Sequence, residues 1–154
     1  MMPALSHRRT TQPREKNDLG ALWYRLARRE WTTLAVVSPD HNAGASRLAR
    51  ALVELAGDHH GVLEARDISE FRRRIRAATV IARLEGAAAA SERPWRFLLP
   101  IDSVLDTPHA DELLAACDTV VLLLEKGRSL LPDAVSTVDF VGRERLFGAV
   151  LGSP

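Results

Sequence analysis

Leu34-Ala35-Val36-Val37-Ser38-Pro39-Asp40-His41-Asn42-Ala43-Gly44-Ala45-Ser46-Arg47-Leu48-Ala49-Arg50-Ala51-Leu52 is the stretch on which the reading of this chain turns. It falls into three parts. Thr32 to Ser38 is β-branched and apolar without alternation, the mark of a strand buried on both faces. Pro39 to Ala43 cannot continue either a strand or a helix and reads as a turn. From Gly44 onward, Ala45, Leu48, Ala49, Leu52, Leu55 and Ala56 recur at helical spacing until Gly57 ends the run. A fully buried strand, a tight turn and an amphipathic helix in that order form one half of a parallel β-α-β unit.

Working outward, the same alternation repeats. Upstream, Asp18 is placed to cap a helix running to Glu30 with Leu19, Leu22, Trp23 and Leu26 on one stripe. Residues 1–17 are polar, contain Pro and lack periodicity, so they read as a flexible tail ahead of a domain spanning 18–154. Downstream come a short strand at Gly61–Ala65, an Arg- and Ala-rich helix from Ile68 to about Glu92, and a strand at Trp95–Ile101. A short helix at Pro108–Ala116, the strand Thr119–Leu124, a helix at Leu130–Val141 and a closing strand at Leu146–Leu151 follow. The predicted fold class is α/β: a single three-layer αβα domain with a mainly parallel sheet of about five strands. In open sheets of this kind ligands sit beyond the carboxyl ends of the strands, so the loops after Ser38, Ala65, Ile101 and Leu124 carry the candidate chemistry.

Bulk properties narrow the classes. With 154 residues, 46% hydrophobic and 27% charged, the chain is sized for one core. A formal net charge of +1 gives no general argument for nucleic acid or a membrane surface. Cys117 is the single cysteine, so no internal disulfide forms, which fits a reducing cytoplasm. No apolar run approaches the roughly 20 residues a membrane span needs, and the basic N-terminus lacks the apolar segment of a secretory signal.

A strand–turn–helix of this kind is where a phosphate-binding loop sits. There, glycines expose backbone N–H groups, a lysine neutralises phosphate, and a Ser or Thr holds Mg²⁺. The chain has only two lysines, Lys16 and Lys126, and neither lies in this loop. The segment resembles the nucleotide loop of the bacterial tyrosine kinases and related ATPases of capsule and exopolysaccharide synthesis, within the wider ParA/MinD group of P-loop NTPases. Their loop runs roughly S-P-x-P-G-E-G-K-S. Ser38 and Pro39 match its opening, Gly44 its last glycine and Ser46 its magnesium serine. Asn42 stands at the other glycine, Ala45 at the lysine, and Asp40 where ParA-type loops carry a second lysine. The resemblance therefore implies a vestigial phosphate loop of Gly44, Ser46, Asn42 and Ala45, with no cofactor or only weak ATP and Mg²⁺ binding. His41, Arg47 and Arg50 are the cations available to replace the lysine. The bland reading of Gly44 and Ser46 is a helix start with a capping serine.

Other family positions are altered too. The segment Phe97-Leu98-Leu99-Pro100-Ile101-Asp102-Ser103-Val104-Leu105 resembles the family's apolar strand ending in D-T-P-P-V-L, and Asp118 follows Pro100 by the expected eighteen residues. In that register Pro100 replaces the Walker B aspartate. Asp102 lies two residues on, a displacement of roughly 6–7 Å along a strand. The alternative register, Asp106-Thr107-Pro108, sits too near Asp118. Glu64 to Asp67 matches an earlier magnesium-binding Asp only loosely, and Asp67 equally reads as a helix cap before Ile68. Gly152 falls where an asparagine contacts the base, and no tyrosine-rich tail is present; Tyr24 is the one tyrosine.

The remaining motifs have ordinary readings. Phe71-Arg72-Arg73-Arg74-Ile75-Arg76 suits an acidic partner or anionic lipid but more often is a solvated helix face. His59-His60 has no further ligand at metal spacing, so no metal is expected. Trp23, Trp31 and Trp95 read as packing residues. The resemblance implies a non-catalytic, pseudokinase-like accessory of exopolysaccharide or capsule synthesis that acts by protein–protein contact. Its partner would be the cytoplasmic part of a membrane polysaccharide chain-length regulator or an active homologous ATPase, with a homodimer as a further arrangement. Its location would be cytoplasmic, held to the inner membrane only through that partner, and nucleic acid is not expected. The rival expectations are a divergent ATP-binding tyrosine kinase or ATPase of the same pathway and a ParA/MinD-like positioning regulator.

Overall fold

The computed structural model describes residues 12–58, 63–65 and 96–152. Two compact units meet between Glu30 and Trp31. In the first, helix α1 spans Gln12–Ala27. It begins six residues before the expected cap at Asp18. The charged run from Arg14 to Lys16 consists of good helix formers without an apolar stripe, and Pro13 is tolerated in a first turn. Trp23 and Leu26 are buried, and the Arg28 guanidinium lies 5.5 Å over the Tyr24 ring.

The second unit holds β1 (Thr33–Val37), α2 (Gly44–Asp58), β2 (Leu63–Ala65) and β3 (Arg96–Ile101). A 3₁₀ turn at Val104–Asp106, α3 (Ala110–Ala115), β4 (Thr119–Glu125), α4 (Leu131–Val141), a second 3₁₀ turn at Arg143–Arg145 and β5 (Leu146–Gly152) complete it. The five strands are parallel, in the order β2-β3-β1-β4-β5. The expected α/β class with a parallel sheet is therefore what the chain adopts. The segments around His59-His60, Asp67, Phe71–Arg76 and Trp95 lie outside the described residues.

Strands β1, β3 and β4 are continuous apolar runs because both of their faces are covered. On one face Ala35, Val37, Leu99, Ile101, Val120 and Leu122 pack with Leu113, Leu114 and Cys117 at α3 and with Val141 of α4. α2 packs against β1, β2 and β3 through the buried stripe Ala45, Leu48, Ala49, Leu52 and Ala56, as its periodicity predicts. Two polar features set the register. The Asp118 carboxylate accepts the Thr32 and Thr33 N–H groups at 2.6 and 3.1 Å, pinning the start of β4 to the start of β1. Pro100 sits within β3, although it cannot donate to a ladder. The Phe97 N–H donates to Thr32 in front of β1, so by alternation residue 100 directs its nitrogen to the opposite side. On that side β2 pairs only as far as Leu98, so no ladder bond is lost at Pro100.

Cys117 donates its S–H to the Leu113 carbonyl at 3.3 Å. Burial, opposed by nearby Arg145 and reinforced by Asp118, pushes its pKa from 9.0 to about 12. A folded-state value above the unfolded one gives stability that is present below about pH 9 and lost as the pH rises toward about 12. Denaturant midpoints followed up to pH 10.5 should therefore fall more steeply for the native chain than for Cys117→Ala. Parallel profiles would remove this account of the thiol.

Candidate phosphate-loop site

The loop Ser38–Ala43 leaves β1 at the carboxyl edge of the sheet and is stitched to the chain that follows β3. Ser38 N–H donates to Ile101 O, Val104 N–H to Ser38 O, and Ser103 N–H to Asp40 O, at 3.2, 3.1 and 3.0 Å. The Ser38 hydroxyl accepts the Asp40 N–H at 3.1 Å. Ala43 adopts a left-handed φ of 58° and its carbonyl receives the first bond of α2, from Arg47 N–H. For a residue with a Cβ that conformation costs roughly 1–2 kcal/mol.

A helix N-terminus offers free N–H groups to an anion. Here the protein supplies the anion itself. The Gly44 N–H goes to Asn42 Oδ1 at 3.2 Å. The Ala45 N–H donates to Asp102 Oδ1 at 2.8 Å, and the Ser46 hydroxyl to Asp102 Oδ2 at 2.9 Å. Asp102 is buried, so both bonds are made away from water. Placing Pro100 at the acidic position of this site is thus corrected: the carboxylate that meets the loop serine is that of Asp102. The two-residue offset is absorbed because β3 ends at Ile101 and Ser103 turns the chain with a left-handed φ of 53°. A displacement measured along an extended strand does not apply beyond its end.

A second buried carboxylate closes the other side. The Glu125 Oε1 lies only 2.6 Å from where a Cβ on Gly44 would be. Its partners are loose, Arg47 Nη2 at 3.5 Å and Arg128 Nη1 at 3.6 Å. Asp40 turns away from the cradle to accept the Ser129 hydroxyl, whose oxygen accepts the Glu125 N–H at 2.8 Å. Of the candidate cations, Arg47 is engaged with Glu125 and donates to Asn42 O at 2.9 Å. His41 is held by Asp106 at 2.9 Å and by Ser103 Oγ at 3.0 Å, while Arg50 lies exposed on the next turn of α2. The sequence reading missed Asp102 as the meeting carboxylate, and it missed Glu125, which looks there like the polar end of an apolar strand.

The Ser103, His41 and Asp106 side chains form a closed triangle, since Ser103 Oγ also reaches Asp106 Oδ2 at 3.2 Å. Serine and aspartate both face the same imidazole nitrogen, Nε2. A proton relay needs them on opposite nitrogens. The triangle is therefore a tie between two loops. Gly152, at the base-contact position, uses its carbonyl to accept the Lys126 N–H at 2.9 Å.

ATP with Mg²⁺ fits this site only by half. Ser46 beside Asp102 is the donor pair that would hold the metal. The phosphate half does not fit: Asp102 takes a first-turn N–H, Glu125 closes on Gly44, and no lysine is present. A phosphate charge about 5 Å from each carboxylate is opposed by about 3 kcal/mol per carboxylate at an effective dielectric near 20. Among the described residues no group of three or more His, Cys, Asp or Glu side chains could hold a metal ion. None of their helices is long and apolar enough to cross a membrane.

No protein-family model matches the chain, and neither does any curated protein. Among solved structures it is similar to a "BceF Tyrosine Kinase Domain", with a TM-score of 0.59 and 11% identity over 90% of this chain and 74% of that one. The likeness is one of fold. Activity has to be argued from the residues at the sheet edge.

Proposed function

We propose that this chain is a non-catalytic, P-loop-type accessory or regulatory module of bacterial exopolysaccharide or capsule synthesis, acting by protein–protein contact. The observation that carries the non-catalytic part is the Asp102 carboxylate seated on the first turn of α2, where a phosphate loop presents its N–H groups to nucleotide. Glu125 against Gly44 and Ala45 at the lysine position point the same way. The pathway is supported by the fold likeness to a tyrosine kinase domain together with the retained Ser38-Pro39, Gly44 and Ser46. In this reading the partner is the cytoplasmic part of a membrane chain-length regulator or an intact homologous ATPase, and the chain itself is cytoplasmic.

A second reading, a divergent ATP-binding kinase or ATPase, draws on the Ser46–Asp102 pair, which keeps the metal half of the site together. Titration with ATP and Mg²⁺ by calorimetry separates the two. The non-catalytic reading expects no saturable binding up to about 1 mM, an affinity of about −4 kcal/mol or weaker. Micromolar, Mg²⁺-dependent binding abolished by Asp102→Asn would overturn it. A ParA/MinD-like positioning role would instead show nucleotide-dependent dimerisation in the same preparation.

A further inference from the structure

β5 ends the sheet, and no described strand pairs with its outer side. Its seven residues, Leu146-Phe147-Gly148-Ala149-Val150-Leu151-Gly152, contain no charge and no proline. Charged side chains, prolines and very short lengths are the devices that keep an edge strand from pairing with another chain. The opposite edge, β2, has three residues; β5 is the long one and extends about 23 Å.

The helix beside this edge is also uncovered. α4 buries Ala134, Thr137 and Val141 and leaves Leu131 and Val135 exposed at 76% and 50%. Leu131 and Val135 are one turn apart and share a flank. The β4–α4–β5 connection joins adjacent parallel strands, and the right-handed crossover rule turns that flank toward β5. On β5, Ala149 pairs beside Leu122 and Leu151 beside Leu124, which places both on the face that α4 packs against. Both are exposed, Leu151 at 68%. A bare strand edge and a bare apolar helix flank therefore adjoin.

We propose that this surface pairs with a second copy of the chain, β5 against β5, antiparallel about a two-fold axis at Ala149. Three observations select a second copy. The backbone ladder of a strand edge is complemented only by another extended strand. An edge without charge opposes no like charges when it meets itself. The two-fold register sets Phe147 opposite Leu151 and the small Ala149 opposite itself. The helices fit as well: α4 bridges β4 and β5, so its copy across the axis lies two strand spacings away, about 10 Å, which is helix-packing distance. Leu131 and Val135 then meet their counterparts. A contact one strand long and one helix deep sits near or below the roughly 800 Å² per partner of standard interfaces. The dimer is therefore weak, forming in the micromolar range. The proposal does not depend on whether the phosphate loop binds nucleotide, because no residue of that loop takes part.

Sedimentation equilibrium of the full chain from 1 to 200 μM tests it. The expected result is a reversible monomer–dimer equilibrium that Ala149→Lys weakens at least tenfold, because two ammonium groups would face each other across the axis. Ala149 is exposed, so the variant monomer should unfold at the same denaturant concentration as the native chain. Ala149→Cys supplies an independent readout of register. Opposed Cβ atoms in an antiparallel pair are about 4.5–5.5 Å apart, so mild oxidation should yield a disulfide-linked dimer through position 149. Cys117 is buried and does not compete. A chain that stays monomeric at 200 μM, or a dimer indifferent to Ala149→Lys, overturns the proposal; so does an Ala149→Cys protein that fails to cross-link while dimeric.

Discussion

Replacing Asp102 with alanine should lower the unfolding free energy by about 3 kcal/mol and at the same time improve inorganic anion binding by about tenfold. The stability loss has two sources. Asp102 caps the Ala45 N–H, and losing a cap costs about 1 kcal/mol. It also satisfies the Ser46 hydroxyl inside the protein, and each buried polar group left without a partner costs about 1–3 kcal/mol. Asp102→Asn keeps an oxygen for Ala45 and an amide for Ser46, so its loss should be nearer 1 kcal/mol. The gain in anion binding follows from the same geometry. Removing the carboxylate frees a first-turn N–H of α2 and lifts a repulsion of a few kcal/mol, part of which solvent already screens. Urea unfolding followed by circular dichroism gives the first quantity; calorimetric titration with tripolyphosphate gives the second. If alanine destabilises no more than asparagine, Asp102 is not the cap described here. If stability falls while anion affinity stays flat, the carboxylate is not what keeps phosphate out.

The fold was legible because it is written in periodicities. The unbroken apolar runs of β1 and β4 and the Ala45–Leu48–Ala49–Leu52 stripe of α2 have one economical arrangement, a parallel sheet with covered faces. Asp118 was legible by spacing, and it turns out to pin two strands together. The start of α1 was not, because the residues around Glu15 are helix-forming without an apolar stripe to betray them. The site was legible only as far as the loop itself. Counting along β3 put Pro100 at the acidic position, and counting assumes that the strand continues. The left-handed turn at Ser103 is a tertiary fact that no local propensity announces. Glu125 stayed invisible for a related reason: its role depends on the separation between the end of β4 and Gly44, which are 81 residues apart in the chain. The His41–Ser103–Asp106 tie likewise joins residues whose sequence order carries no signature.

Gly44→Ala should destabilise the protein by about 2 kcal/mol, and the sign of the effect is the informative part. At an unobstructed helix start, replacing glycine by alanine stabilises, by up to about 1 kcal/mol, through helix propensity and reduced unfolded-state entropy. Gly44 opens α2, yet an added Cβ would stand 2.6 Å from Glu125 Oε1, 3.0 Å from Leu123 Cδ2 and 3.1 Å from Asn42 Oδ1. A carboxylate at the end of a flexible side chain could swing clear in solvent. Glu125 is buried, with Arg47 and Arg128 on either side, so it has little room to move. Overpacking a site of this kind costs about 1–3 kcal/mol. Glu125 by itself contributes little to stability, since a buried charge with loosely placed partners roughly cancels its own desolvation. Removing it should therefore relieve the clash at small cost. In a double-mutant cycle, Glu125→Ala should recover about half of the Gly44→Ala loss, with Leu123 and Asn42 accounting for the rest, and a coupling of about 1 kcal/mol is readable in such a cycle. An additive pair would mean that the carboxylate does not press on this glycine. A stabilising Gly44→Ala would mean that the first turn of α2 is open, and with it the space in which a phosphate could sit. The small residue at this position would then belong to a phosphate loop. With the clash and the coupling, it is the space the protein keeps for its own glutamate.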